Sequence, residues 1–150
     1  MEAQCEQEVR GFHAFLRDWL AGAVPRTAES FTRFAGVMDD GLEVISPLGT
    51  VTGRDALVDE FESLHGQLAA DADEFEIWIE NFRCRWAEGD HAVVTYGEWH
   101  RRRGAESARL STALFRRAEG TPSGVVWLHV HETWLPGRAP DGGERFPEVS

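Results

Sequence analysis

The sequence contains no lysine, one tyrosine and two cysteines among its 150 residues, and acidic residues outnumber basic ones by 26 to 15. The resulting net charge of −11 argues against a general nucleic-acid binder, because phosphate neutralisation requires a basic face. It argues equally against adhesion to an anionic membrane. No apolar run approaches the roughly 20 residues that a membrane span requires. The N-terminus also lacks the basic start and apolar stretch of a secretory signal.

The two cysteines, Cys5 and Cys84, provide neither a disulfide framework nor a zinc-binding spacing. We therefore expect two free thiols in a reducing cytoplasm. A chain of this length fits one domain, which we expect to span residues 1–136. Residues 137–150 are rich in Gly and Pro and predict a flexible C-terminal tail.

Helical periodicity dominates the first part of the chain. Apolar residues at helical spacing predict a first helix that ends at Gly22 and a short second helix after Thr27. A strand is expected over residues 42–46. Residues 52–55 fit a loose capping box that starts a third helix, and residues 69–74 predict a loop.

From Phe75 the apolar period changes to two, which is typical of strands. Turn signals at residues 88–90, 103–105 and 120–124 divide this part into a four-stranded antiparallel meander that ends near Trp134. Helices followed by an antiparallel meander predict an α+β fold, with the sheet packed on three N-terminal helices.

Three short motifs carry a family resemblance that extends over residues 6–135. A Pro47-Leu-Gly49 turn precedes the third helix, Gly89-Asp90-x-Ala92 opens a strand, and His129-x-His131 lies in the last strand. In this order they resemble the nuclear-transport-factor-two-like superfamily, in its SnoaL-like and ketosteroid-isomerase-like branches. The resemblance implies a cone-shaped, strongly curved antiparallel sheet with a ligand pocket at one end, and a homodimer built on the outer face of the sheet.

The sequence departs from the ketosteroid-isomerase-like branch at its catalytic positions. That branch places its general base just before the Pro-x-Gly turn, where this chain has Ser46, and its oxyanion donor is a tyrosine of the first helix, which here contains none. We therefore do not expect proton shuttling on a steroid by that machinery.

Arg109 and Glu132 lie in mid-strand among apolar or small residues. A charge in such a place is paired, solvated by a pocket or located on the sheet rim. By the resemblance both face the cone interior together with Ser111, with Trp99 and Trp134 as walls. Arg109 would then orient an anionic or carbonyl group and Glu132 would be the base or acid. The alternative is a salt bridge on the rim beside core tryptophans.

Strand register leaves the choice of face open, because a slip of one residue exchanges the two faces of a strand. In the first register Leu128 and Val130 face inward with Glu132. In a slipped register Tyr96 and Glu98 replace Trp99 in the pocket, and the Tyr96 phenol could donate to an oxyanion. Otherwise Tyr96 lies at the dimer interface.

His129 and His131 share one face of the last strand. Two imidazoles can hold a metal ion, but nothing in the sequence requires a third ligand of the same parity, so we expect no metal. We expect His129 either to contact the ligand or to form hydrogen bonds in a dimer interface or at a sheet edge.

Two functions therefore remain open. The first is a small-molecule-binding protein of the SnoaL-like or ketosteroid-isomerase-like type, without a cofactor, whose reaction would be an isomerisation, cyclisation, dehydration or hydrolysis. The alternative is a non-catalytic ligand-binding or dimerisation module. The expected partners are a small-molecule ligand and a second copy of the chain, and neither nucleic acid nor a membrane. The sequence does not decide whether the protein is an enzyme.

Overall fold

The fold is α+β, as predicted, and a computed structural model describes residues 1–140. Its elements in chain order are α1 (Glu2–Ala21), α2 (Ala28–Ala35), β1 (Met38–Ile45), β2 (Val51–Gly53), α3 (Arg54–Ser63), β3 (Phe75–Glu88), β4 (His91–Arg102), β5 (Ala105–Arg117) and β6 (Val125–Trp134).

The sheet has six strands in the order β2-β1-β6-β5-β4-β3. Strands β3 to β6 form the predicted antiparallel meander. The expectation of a purely antiparallel sheet is wrong, because β1 pairs parallel to β6, with Val44 beside Val130. Helix α1 contacts β3, β4 and β6, and α3 contacts β1, so the helices occupy one face of the sheet in the cone arrangement.

The helix boundaries follow local capping chemistry. Helix α1 ends at Gly22 with φ 72°, and Thr27 caps α2 through a hydrogen bond that its side chain accepts from the Ser30 amide at 3.1 Å. The capping box predicted at residues 52–55 is wrong, because Thr52 lies in β2 and Gly53 is the N-cap residue of α3, without a side-chain cap. The loop predicted at residues 69–74 is a 3₁₀ helix, Ala69–Glu74.

The C-terminal end of α1 is held by α3 and by the chain that follows it. The Trp19 indole donates to the carbonyl of Phe61 at 2.7 Å. The amides of Gly66 and Leu68 donate to the carbonyls of Trp19 and Leu20 at 3.0 and 2.8 Å. These bonds satisfy carbonyls of the last helical turn and fix the end of α1 beside α3.

A β-bulge in β6 determines which of its side chains face the helices. Leu114 pairs with His129 and Phe115 with Trp127, so Leu128 has no partner in β5. The extra residue shifts the alternation, and both Trp127 and Val130 are buried on the helix side. The inward placement predicted for Leu128 is therefore wrong, and this residue is only half-buried.

The C-terminal tail predicted over residues 137–150 lies outside the described residues from position 141 onward. Within the described part, the carbonyl of Arg138 accepts a hydrogen bond from the Ala108 amide at 3.0 Å. None of the described helices is both long and apolar enough to cross a bilayer.

Candidate functional site

A cavity of about 30 Å³ lies between the three helices and the sheet, with room for about two water molecules. Its wall is mostly apolar and includes Phe12 of α1, Phe34 of α2 and Leu57 of α3. Four polar side chains complete the lining: His13, Tyr96, Glu98 and Glu132. An apolar chamber with a few polar groups is the usual form of a small-molecule site.

Glu132 is 2% exposed and is held from β5 by two donors. Its Oε1 accepts from an Arg109 guanidinium nitrogen and its Oε2 from the Ser111 hydroxyl, both at 3.3 Å. Burial is the main cause that raises the pKa of Glu132 to about 8; the Arg109 guanidinium opposes this rise, and the charge of Glu98 adds to it. Burial therefore favours the protonated form of Glu132.

Glu98 is the ionised carboxylate of the site, because two histidines donate to it. Nε2 of His13 lies 3.0 Å from its Oε1, and Nε2 of His100 lies 2.6 Å from its Oε2. Burial alone would raise the pKa of Glu98, but the charge and hydrogen bonds of His13 and His100 hold it well below the usual range.

His13 is an imidazolium, because both ring nitrogens face acceptors. Its Nδ1 lies 2.7 Å from the carbonyl of Val9, which can only accept, and its Nε2 faces the Glu98 carboxylate. Burial lowers the pKa of His13, but the Glu98 charge and these hydrogen bonds outweigh it and raise the pKa above the ordinary value.

His100 is the neutral histidine of the pair. Burial lowers its pKa despite the hydrogen bond to Glu98. Its Nδ1 is buried and has no hydrogen-bond partner among residues 1–140. His100 therefore supplies a hydrogen bond to Glu98 without supplying a second positive charge.

Tyr96 faces the cavity and is 1% exposed, so its alternative placement in a dimer interface is wrong. It lies directly opposite Ser111 of β5 in the sheet. Burial raises the pKa of Tyr96 well above 10, and the charge of Glu98 adds to the effect. The phenol therefore keeps its proton throughout the neutral range.

The placement of Trp99 in the pocket wall is wrong. Trp99 lies on the face of the sheet away from the helices, where its ring stacks on Trp78 at 5.8 Å and the Arg138 guanidinium lies 4.9 Å from its centroid. The slipped register applies, because Tyr96 and Glu98 occupy the inward positions of β4.

The remaining predicted site residues surround the cavity without lining it. The guanidinium of Arg109 lies 4.8 Å from the centroid of the Trp134 ring, so Trp134 covers Arg109 and not a ligand. Arg109 acts on Glu132 and not as a direct contact in the cavity. His129 is half-buried outside the cavity and His131 is exposed.

Over residues 1–140, no group of three or more His, Cys, Asp or Glu side chains could hold a metal ion. Ser46, which occupies the position of the isomerase base, uses its hydroxyl to accept hydrogen bonds from the amides of Leu48 and Thr50 at 3.3 and 3.2 Å. Its side chain stabilises the turn.

His13, the one polar residue that α1 contributes to the cavity, was not predicted from the sequence. The available signal was its position next to Phe12 on the buried face of the helix, among Val9 and Leu16. A histidine on an apolar face indicates a buried partner, and that partner, Glu98, is 85 residues away along the chain.

Comparisons with known proteins give relatives of two kinds. Residues 5–136 match the family described as Sucrose-6-phosphate phosphohydrolase C-terminal. Sucrose-phosphatase 2 of Nicotiana tabacum is 24% identical over 133 residues, which are 88% of this chain and 31% of the tobacco protein. Probable sucrose-phosphatase 3a of Arabidopsis thaliana is 21% identical over 139 residues, or 93% and 32%. The chain thus spans about a third of the length of these curated relatives.

Solved structures with the same fold include an NTF-2 like protein of unknown function from Pseudomonas aeruginosa. It has a TM-score of 0.75 and 25% identity, and the match covers 88% of this chain and 98% of the other. The association domain of C. elegans CaMKII is 19% identical with a TM-score of 0.58, covering 87% and 95%. The fold is therefore NTF2-like, which confirms the resemblance, and the chain belongs to the sucrose-6-phosphate phosphohydrolase C-terminal family.

Proposed function

We propose that this domain binds a small, mainly apolar molecule with one hydrogen-bonding head group, and that Glu132 is the acid of the site. The observation that carries the proposal is an apolar cavity that ends at a buried carboxyl group. The hydrogen bonds from Arg109 and Ser111 hold that carboxyl group in place, and burial favours its protonated form.

The cavity sets the size and character of the ligand. Its present volume of about 30 Å³ has room for about two water molecules, which is less than a ligand such as cyclopentanone needs. A larger ligand requires movement of Phe12, Phe34 and Leu57, which come from three different helices. Apolar contact with these side chains would supply most of the binding free energy, and the polar end would fix the orientation of the ligand.

A sucrose phosphate does not suit this cavity, although the curated relatives carry that compound in their names. A phosphorylated sugar needs hydrogen-bond partners over most of its surface, and most of the cavity wall is apolar. The ligand class that we propose therefore differs from the compound in those names.

The test is a binding measurement with small ketones and alcohols, followed by ¹H–¹⁵N NMR. We expect cyclopentanone to shift the amide signals of cavity residues, including Val130. The Val44→Ile variant adds a methylene to the cavity wall and should weaken binding several-fold. Val93→Ile is the matched control, since Val93 is half-buried in β4 and does not line the cavity. Absence of binding, or equal effects of the two variants, would contradict the proposal.

We also propose that two copies of the chain associate through the outer face of the sheet. Leu110 is 42% exposed on this face, and the stacked Trp78 and Trp99 lie beside it. Apolar side chains in such a position favour burial by a partner. The fold relative from CaMKII is named as an association domain, which also supports the proposal.

Light scattering after size-exclusion chromatography tests this association. We expect twice the chain mass for the wild type and the chain mass for Leu110→Arg. Ala56→Arg, on the exposed surface of α3, should leave the mass of the wild type unchanged. A wild-type protein of single-chain mass at micromolar concentration would contradict the proposal.

We propose a cytoplasmic location, which the free thiols of Cys5 and Cys84 support. Acid quenching of intact cells, followed by alkylation under denaturing conditions and mass spectrometry, should find both residues reduced. Stable oxidation of either thiol would contradict this assignment.

A further inference from the structure

The hydroxyl group of Tyr96 is a hydrogen-bond donor that the protein itself does not use. Tyr96 is 1% exposed and lines the cavity. No group of residues 1–140 is in hydrogen-bonding position to its hydroxyl. Ser111, directly opposite on β5, directs its own hydroxyl at Oε2 of Glu132, 3.3 Å away. A buried donor without an acceptor costs free energy, so the Tyr96 hydroxyl is available to a ligand.

The other polar side chains of the cavity wall are already engaged. Both ring nitrogens of His13 and both carboxylate oxygens of Glu98 have hydrogen-bond partners, in part each other. Both oxygens of Glu132 accept hydrogen bonds from β5. Among the described residues of the wall, Tyr96 is therefore the one whose donor hydrogen remains for a ligand.

The phenol ring has a fixed place beside these groups. It meets the imidazole of His13 edge to face, with the ring centroids 5.7 Å apart. Its strand, β4, lies between β3 and β5 in the sheet. The wall around the hydroxyl is otherwise largely apolar and includes Phe12, Trp127 and Val130. A fixed donor in an apolar chamber suits a ligand with an apolar body and one acceptor atom.

We infer that Tyr96 donates its phenol hydrogen to the ligand, and that the ligand head group is a neutral hydrogen-bond acceptor such as the carbonyl of a ketone or an aldehyde. A carbonyl oxygen brings no hydrogen of its own, so it requires no further acceptor from the wall. An anionic head group is disfavoured, because it would lie beside the ionised Glu98. The head-group class rests on the proposed function, whereas the unused hydroxyl of Tyr96 does not.

The thermal stability of the free protein tests whether the Tyr96 hydroxyl has a partner within the protein. Tyr96→Phe removes the hydroxyl and keeps the ring, and we expect its Tm to equal that of the wild type within error. Ser111→Ala is the matched comparison, because the Ser111 hydroxyl is bound to Glu132, and its Tm should be several degrees lower. A Tm of Tyr96→Phe as low as that of Ser111→Ala would overturn the inference.

Binding of cyclopentanone and methylenecyclopentane tests the head group, because the two have nearly the same shape and only the ketone has an oxygen that accepts a hydrogen bond. We expect the ratio of their affinities, ketone over alkene, to fall several-fold from the wild type to Tyr96→Phe. Thr112→Val also removes a hydroxyl, on an exposed part of β5 outside the cavity, and should keep the wild-type ratio. An equal ratio in the wild type and Tyr96→Phe would overturn the inference and leave the proposed function standing. Failure of both compounds to bind the wild type would overturn the proposed function, and the head-group class with it.

The carbonyl stretching frequency of bound cyclopentanone tests the contact itself, because a donated hydrogen bond lowers that frequency. With ketone labelled with ¹³C at the carbonyl, we expect a lower frequency in the wild type than in Tyr96→Phe, and the wild-type frequency in Thr112→Val. Equal frequencies in the wild type and Tyr96→Phe would show that the phenol does not donate to the carbonyl, and would overturn the inference.

Discussion

The imidazole of His13 and the carboxylate of Glu98 meet at 3.0 Å inside the cone, although 85 residues separate them in the chain. Both side chains are almost completely buried, and both nitrogens of His13 are used, one by Glu98 and one by the carbonyl of Val9. The pair thus brings a positive and a negative charge into an apolar chamber and leaves each satisfied. It also joins α1 to β4.

Removal of one member of this pair should be costly. His13→Leu leaves the Glu98 carboxylate with His100 alone, and we expect a loss of about 3–5 kcal/mol in the free energy of unfolding. The double variant His13→Leu/Glu98→Leu removes both charges and should be less destabilised than the sum of the two single variants. Urea denaturation of the four proteins measures the difference, and strict additivity would show that the two side chains are not coupled.

The titration of Glu132 should make the stability depend on pH. Its pKa is higher in the folded protein, at about 8, than the ordinary 4.5, so the folded state binds more protons between these values. This contribution is present below pH 4.5 and is lost as the pH rises to about 8. Glu132→Gln stays neutral, so we expect it to gain about 5 kcal/mol relative to the wild type over this range. Parallel Tm profiles of the two proteins would contradict the expectation.

Glu8 is another buried carboxylate. Its ion pair should contribute more to the free energy of unfolding than an exposed ion pair does. Glu8 is fully buried and accepts from two nitrogens of Arg33 at 3.0 and 3.1 Å and from the Trp127 indole at 2.9 Å. Arg33→Ala leaves an uncompensated buried charge and should cost about 3 kcal/mol. Arg26→Ala is the control.

Arg26 makes a similar two-nitrogen pair with Glu62, but both partners are exposed. Its removal should leave the Tm unchanged within error. The double variant Glu8→Met/Arg33→Ala also removes the buried carboxylate that Arg33→Ala leaves unpaired, so it should recover part of the lost stability. Equal losses in the two single arginine variants would contradict the argument from burial.

The two thiols should differ in reactivity. Cys5 is fully buried, and burial raises its pKa to about 11, so it offers little thiolate at neutral pH. Cys84 is half-buried on the edge strand β3. We expect a disulfide reagent to modify one thiol rapidly in the native protein and both after unfolding. Cys84→Ser should remove the rapid phase, and rapid modification of Cys5 would contradict its burial.

The parts of the fold that depend on neighbouring residues could be predicted from the sequence. Glycines with positive φ at residues 89, 104, 120 and 124 mark the turns of the meander, and the predicted limits of β4 and β6 match the structure. Pairing between distant segments could not be predicted. Strand β1 joins β6 in parallel, and the three-residue β2 joins β1, through contacts that no local pattern signals.

The candidate site could be predicted only in part, because residues from distant segments also form it. Burial of Glu132 follows from its apolar neighbours in β6, and Ser111 and Arg109 are close to it because they lie on the adjoining strand. Trp99 was predicted to face inward on the register that the Gly89-Asp90 turn would set, and Glu98 occupies the inward position instead. The opposite arrangement is stable only because His13 arrives from α1 to neutralise the carboxylate, and this tertiary pairing overrides the preference of each side chain.

The hydrogen bonds from Gly66 and Leu68 to the last turn of α1 also restrict insertions and deletions within that helix. They fix the end of the helix, so an inserted or deleted residue between His13 and Trp19 must turn the imidazole by about 100° around the helix axis. The histidine would then leave the carboxylate that it neutralises. Single substitutions in this segment can be tolerated. An insertion or a deletion, in contrast, would break the ion pair between His13 and Glu98 in the cavity.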